Sequence, residues 1–305
     1  MVRKTPTPYS FGSGFVQDHG TIRVIAQIDE LTDAGSVASR VMKWAAKDGK
    51  WSQFSFEWSA VRVCVIREPL ELFVMGPSGE VNVGSLRGDT QEVIDESKDG
   101  PQGRGPLRDL RQIGKYLYAA GMSRQVYRRE GANNWVHRDG GTVLSVGSKA
   151  SAGFNSIDGV DENDFYAVGF GGEIWRCLRG QWRQLDSPTN VVLHRVKVIR
   201  DDLAYASGQQ GVLLRGRGDL WDEIEDSSVE DDLWDLEWYR DRLYTAHDDG
   251  VSVLTNAGSL ERINFGIRGE ITCRHLHSND GVLLSSGPKN VLVTSDGEKW
   301  HEITP

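Results

Sequence analysis

Cys273-Arg274-His275-Leu276-His277 puts three metal-capable side chains on one face of an extended run. On an extended strand, side chains at i and i+2 stand about 6.6 Å apart and those at i and i+4 about 13 Å, whereas the ligands of one ion all lie about 2.0–2.3 Å from it. At most two of the three could share an ion, so the run reads as a structural histidine pair and no metal site is expected. A second group is spread along the chain. Arg62, Arg108 and Arg274 open apolar-alternating segments, and Asn155, His194 and Trp234 hold the corresponding places in three others. Gathered in one place, such guanidinium groups would bind a carboxylate through paired hydrogen bonds. Glycoside hydrolysis there would also need a nucleophile and a carboxylic acid, and no equivalent Tyr/Glu pair can be placed.

The other reactive signatures are missing from the sequence. It has no Walker loop, no Ser elbow, no His-Glu-x-x-His helix and no dinucleotide fingerprint. Gly169-Phe170-Gly171-Gly172 joins one strand to the next, Glu173–Arg176, and is a hairpin rather than a phosphate cradle. No catalytic residue and no cofactor are expected.

Charge is more informative. The formal net charge is -9, and residues 219–237 hold ten acidic side chains with no Lys or Arg, while residues 104–138 hold eight basic and two acidic ones. Glu225, Asp226, Glu230, Asp231 and Asp232, with Asp248 and Asp249 further on, are candidates for one acidic patch, with Trp234 and Trp238 as aromatic anchors. Concentrated like charge costs stability and favours fast, steered capture of a basic partner. The overall sign disfavours nucleic acid.

No stretch approaches the roughly 20 apolar residues that span a bilayer. Arg3 and Lys4 are not followed by an apolar run of the kind a secretion signal needs. Cys64, Cys177 and Cys273 are far apart and odd in number, which suits a reducing compartment. The expectation is a cytoplasmic protein.

What positions these residues is a repeat. Leu72-Phe-Val-Met-Gly76, Leu117-Tyr-Ala-Ala-Gly121, Phe165-Tyr-Ala-Val-Gly169, Ala204-Tyr-Ala-Ser-Gly208, Leu243-Tyr-Thr-Ala-His247 and Leu283-Leu-Ser-Ser-Gly287 align, their last residues roughly 40–48 apart. About 13 residues after five of them comes a second landmark, Trp135, Trp182, Trp221, Leu260 or Trp300. Within a unit, period-2 runs alternate with Gly/Asp turns: Leu193–Ile199, Leu203–Ser207, Val212–Arg215 and Leu220–Ile224. A repeated four-stranded meander of about 40 residues is a propeller blade. The sequence thus predicts an all-β chain, one seven-bladed β-propeller domain over residues 1–305. Its blades fall near 11–57, 60–97, 107–138, 153–187, 191–226, 232–265 and 270–304, with six or eight blades as alternatives. Phe11–Asp18 would be the inner strand of the first blade or close the ring against the last. Ser145–Gly153 breaks the rhythm and is a candidate recognition loop or a linker.

Val291-Leu-Val-Thr-Ser-Asp296-Gly297-Glu-Lys-Trp300 resembles a shortened Asp-box hairpin, and Asp48-Gly49-Lys50-Trp51 echoes it. By this resemblance the chain is similar to the Asp-box, sialidase-like propellers, closest in style to the non-enzymatic subgroup around the photosystem II assembly factor. The resemblance implies an Asp that caps a tight turn and a Trp packed between repeats.

On a propeller, Arg62, Arg108, Asn155, His194, Trp234 and Arg274 would ring the channel mouth. The acidic loops would gather on the rim of the same face. The expected function is a non-catalytic protein-binding propeller, a monomer when free, that grips a basic protein through its acidic rim. Concrete versions are an immunity protein neutralising a cognate bacterial toxin, or an assembly factor. The alternative is a glycan-binding or hydrolytic propeller acting at the Arg-lined mouth.

Overall fold

The computed structural model describes residues 7–145, 152–226 and 229–305, so residues 146–151 of the candidate recognition loop lie outside the described residues. Seven four-stranded antiparallel sheets follow one another along the chain, and in each the strands pair in sequence order. The blades cover residues 9–56, 62–93, 107–137, 154–185, 193–223, 235–262 and 275–302. The seven-bladed propeller that the repeat predicts is the fold.

Both landmarks have steric causes. The second strand of a blade ends where the chain entering that blade crosses it. A methyl group on Gly121, Gly169, Gly208 or Gly287 would fall 2.5, 1.8, 2.5 or 2.3 Å from a backbone carbonyl oxygen, that of Pro106, Gly153, Val192 or Thr272. Only a residue without Cβ allows the approach. The residue after the glycine donates its N–H to the same carbonyl: Met122 to Pro106, Phe170 to Gly153 and Gln209 to Val192. In blade 6 the position is His247, fully buried, whose ring meets Ser252 Oγ at 2.8 Å.

The fourth-strand tryptophans tie a blade to the one before it. Trp221 packs edge-on against Tyr166 of blade 4, Trp182 donates to the Arg138 carbonyl beyond blade 3, and Trp135 donates to Glu92 of blade 2. Trp300 is buried in a cluster with Tyr239 and Tyr244 of blade 6. Beside it, Asp296 Oδ1 accepts from the amides of Glu298 and Lys299 at 2.8 and 2.7 Å, which tightens the turn.

Phe11–Asp18 does both of the things considered for it. It lies within the inner strand of blade 1, Tyr9–Asp18, and it packs against blade 7. The Phe11 amide donates to the Pro288 carbonyl, Asn279 Nδ2 donates to the Val16 and Gln17 carbonyls at 3.0 Å, and Trp51 Nε1 donates to the Ile303 carbonyl at 2.8 Å. Among the described residues no strand is shared between the two blades, so the ring is closed by packing, hydrogen bonds and the Lys289–Asp29 ion pair at 2.6 Å.

The three cysteines are buried and unpaired. Burial pushes the Cys64 and Cys177 thiols up to about 11, which leaves little thiolate for reaction. Among the described residues no helix is long and apolar enough to cross a membrane.

Candidate functional site

The inner strands carry a shared five-residue register. In Leu107-Arg-Asp-Leu-Arg111, Leu193-His-Arg-Val-Lys197, Leu233-Trp-Asp-Leu-Glu237 and Cys273-Arg-His-Leu-His277 the first and fourth residues are buried between blades. The second residue sits at the mouth, where the inner strand begins. The third and fifth line the axis below it.

The mouth is a cavity of about 500 Å³ lined by Arg62, Arg108, Asn155, His194, Trp234 and Arg274 together. Six residues spread over more than 200 positions of sequence therefore converge. Trp234 is clamped between the His194 ring, stacked at 4.4 Å, and the Arg274 guanidinium, 5.0 Å from its centroid. Arg62 reaches down to Asp109 at 3.0 Å, Arg274 turns outward to Asp248 at 2.6 Å, and Arg108 lies over the Phe170 ring at 5.3 Å. Burial keeps His194 below its usual range against the pull of Asp232, whose Oδ2 stands 3.7 Å from Nε2.

Below the mouth lies a belt of buried charges that the sequence reading did not single out. Asp109 Oδ1 meets Arg62 and Arg195 at 3.0 Å each, and its Oδ2 accepts from Ser156 Oγ and the Ile157 amide. Arg195 Nε is 2.8 Å from Asp235, a contact ionic rather than directed. Asp235 also accepts from the Leu236 and Leu276 amides. One level lower, Lys197 pairs with Glu237 at 2.7 Å and Arg111 faces Asp158 at 3.8 Å. Burial opposes ionisation of Asp109 and Asp235, but Arg195 above all holds both carboxyls far below the usual carboxylate range. Charged residues at i and i+2 on consecutive inner strands were the available signal.

The histidine pair of blade 7 belongs to this belt. His277 Nδ1 accepts the Val16 amide at 3.1 Å, and its ring lies on Phe15. Burial, reinforced by Lys197, Arg111 and Arg195, holds His277 well below its usual range. Among the described residues no group of three or more potential ligands could hold a metal. The buried carboxylates of the belt are committed to arginine or lysine, and among the described residues at the mouth no nucleophile is paired with a base.

The contiguous acids divide among three places. Asp235 and Glu237 point into the channel. Asp219 lies on the opposite face, in the turn between the third and fourth strands of blade 5, and pairs with Arg176 at 3.0 Å and with Arg183. The loops named for the rim do share the mouth face. There Asp231 and Asp249 flank Arg262 at 2.9 Å each, and Asp226 accepts the Leu260 amide. Asp232 accepts the Gln210 amide, and Glu225 and Glu230 are exposed. The patch is thus an acidic rim crossed by Arg262 and Arg274, in exposed pairs worth about 0–1 kcal/mol each. Trp238 is not beside it. Four residues down an extended strand is about 13 Å, and Trp238 stacks on Tyr205 toward the other face.

The positive charge of residues 104–138 is largely cancelled in space. Arg129 is held bidentately by Glu92, Arg124 by Glu173, Arg104 by Asp99, and Arg128 and Arg138 by Glu130. Most of these carboxylates come from outside the segment, so charge counted along the chain overstates charge in space.

No family model matches the chain. The immune protein Tsi7 of Pseudomonas aeruginosa is 34% identical over 309 aligned positions, covering 99% of this chain and all of Tsi7. This chain also resembles solved structures of low sequence identity. The WD40 propeller domain of Doa1 has a TM-score of 0.68 at 12% identity, covering 93% of this chain and 91% of that one. YCF48 from Cyanidioschyzon merolae has a TM-score of 0.68 at 13% identity, covering 95% and 96%. At such identity the structural likeness concerns the fold alone.

Proposed function

The chain belongs to the family of the immune protein Tsi7, and from that kinship we propose that it is itself an immunity protein, a non-catalytic propeller that neutralises a cognate bacterial toxin by binding it. The observation that carries the reading is the extent of the match, 34% identity from end to end of both chains. A likeness confined to blade geometry would extend to many propellers of unrelated role. The axial charges support a binding role, because carboxylates locked to arginine are poor general acids or bases.

The partner is a protein with a basic surface, held against the acidic rim of Glu225, Asp226, Glu230, Asp231, Asp232, Asp248 and Asp249 with Trp234 as its aromatic anchor. The chain works in the cytoplasm as a monomer that takes up this one partner, and neither nucleic acid nor membrane is its target. Buried free thiols are at home in a reducing compartment. The assembly-factor reading has only the fold likeness behind it and is set aside.

The experiment is capture of the protein encoded beside this one, with wild-type chain and with Asp231→Lys, Asp232→Lys and Asp249→Lys combined. All three positions lie in loops, so the blades are expected to fold. The wild-type chain is expected to retain the neighbour and protect cells that express it, and the triple variant to lose both. Equal capture by the two would remove the acidic rim from the account, and no capture by either would remove the immunity role.

A further inference from the structure

The acidic rim leaves the centre of its own face unexplained. Arg108 lines the mouth cavity and lies over Phe170, yet among the described residues no carboxylate pairs with it. Each neighbouring cation is committed, Arg62 to Asp109 and Arg274 to Asp248. Partial desolvation at the cavity wall, with Arg62 nearby, pulls the Arg108 guanidinium below its usual range although the residue remains exposed.

The cavity wall also carries unmet hydrogen-bonding capacity. Asn155 is only 8% exposed, and its Nδ2 is fixed by the Leu193 carbonyl at 2.8 Å, yet its Oδ1 is buried with no partner. Trp234 Nε1 is in the same condition, while His194 Nε2 has, among the described residues, only Asp232 Oδ2, at 3.7 Å. A buried polar atom without a partner is costly, and here two of them, Asn155 Oδ1 and Trp234 Nε1, border one opening.

Resting on the reading of this chain as a protein-binding propeller, we propose that the mouth receives a carboxylate side chain, Asp or Glu, of the bound protein and pairs it with Arg108. The rest of the face selects what flanks that residue. Asp232 and Asp248 stand on the blade 5 and 6 side of the same opening, so a polyanion is repelled. A single carboxylate with basic neighbours matches both poles. Trp234, held by His194 and Arg274, offers a rigid indole edge that loses little freedom on binding.

The test needs no toxin, so its failure is separable from failure of the immunity reading. The isolated chain is titrated with the capped peptides acetyl-Lys-Glu-Lys-amide and acetyl-Lys-Gln-Lys-amide, with inorganic phosphate, and with a short single-stranded oligonucleotide. The readout is the indole N–H resonance of Trp234, assigned with Trp234→Phe. The Glu peptide is expected to shift it saturably at millimolar concentration, and the Gln peptide to bind at least about tenfold more weakly. Arg108→Gln, at an exposed position and checked by an unchanged melting temperature, is expected to abolish that difference. Equal binding of the two peptides, an undisturbed Trp234, tighter binding of phosphate or oligonucleotide, or discrimination that survives Arg108→Gln would each overturn the proposal.

Discussion

Asp109 is fully buried on the axis with two guanidinium groups at 3.0 Å, so removing its charge strands Arg62 and Arg195 in a poorly solvated place. Breaking one partner of a buried ion network costs about 3–5 kcal/mol, and Asp109→Asn is expected to lower unfolding free energy by that order in a urea titration. A loss under 1 kcal/mol would mean that water already screens the belt. Acid acts on the same residues. His194, His247, His275 and His277 are held below the ordinary imidazole value of about 6.5, chiefly by burial. Below pH 6.5 the unfolded chain therefore binds protons that the folded chain refuses, and their contribution, complete above that pH, is lost on acidification. Asp109 and Asp235 are depressed from 3.8, so their contribution persists above about pH 4 and is lost below it. His137, raised by Asp95 and Asp139 against a burial penalty, works in the opposite sense and is alone in doing so among the shifted histidines. The melting temperature is expected to fall between pH 7.5 and 5.5 and to fall further below pH 4. A flat or rising profile on acidification would contradict the neutral, buried histidines.

In four blades the entry segment crosses over the end of the second strand, and this crossing is why the repeat ends there in glycine; at Gly76 an added Cβ would instead meet the Glu80 carboxylate and the Trp58 ring. Gly208→Ala would place a methyl group 2.5 Å from the Val192 carbonyl oxygen, and both backbone segments are fixed by pairing. Overpacking of this kind costs about 1–3 kcal/mol. The expected result is a lower denaturation midpoint with an unchanged m-value. Gly180, in an open turn with nothing within 4 Å of an added Cβ, gives the contrast. Its φ of +79 makes alanine strained for backbone reasons only, so the Gly208 penalty is expected to be the larger. The repeat was legible because this steric demand recurs in every unit that keeps the crossing. Blade 6 hid it by filling the place with His247, which substitutes a hydrogen bond to Ser252 for the close approach.

The ring closes where blade 1 meets blade 7, without a shared strand, through contacts such as Asn279 Nδ2 to the Val16 and Gln17 carbonyls. Asn279→Ala leaves two carbonyls without that donor and is expected to cost about 1–3 kcal/mol. Because the seam completes a closed ring, the loss should appear as a single cooperative transition at lower denaturant. A separate early phase from blade 1 alone would show that the seam is not needed for cooperativity. The mouth face sums the acidic rim and the Arg108 centre, and steered association falls steeply with ionic strength. The on-rate for the protein partner is expected to drop as salt rises, with the off-rate changing less. A salt-independent on-rate would argue against capture through the rim.

The period and the strand alternation were enough to determine the blade, because each blade's pairing is local and its steric landmarks recur within about 40 residues. The same register places Arg62, Arg108, Asn155, His194, Trp234 and Arg274 at one mouth, since equivalent positions on a ring must converge. Only the tertiary structure decided the electrostatics. Glu92 lies 37 residues from Arg129, and Glu173 lies 49 from Arg124, so counting charge along the chain could not show that the positive charge of residues 104–138 is cancelled or that three kinds of acid part company. Charge acts through space at a few ångströms, and the propeller sets those distances by bringing together side chains that the sequence keeps far apart.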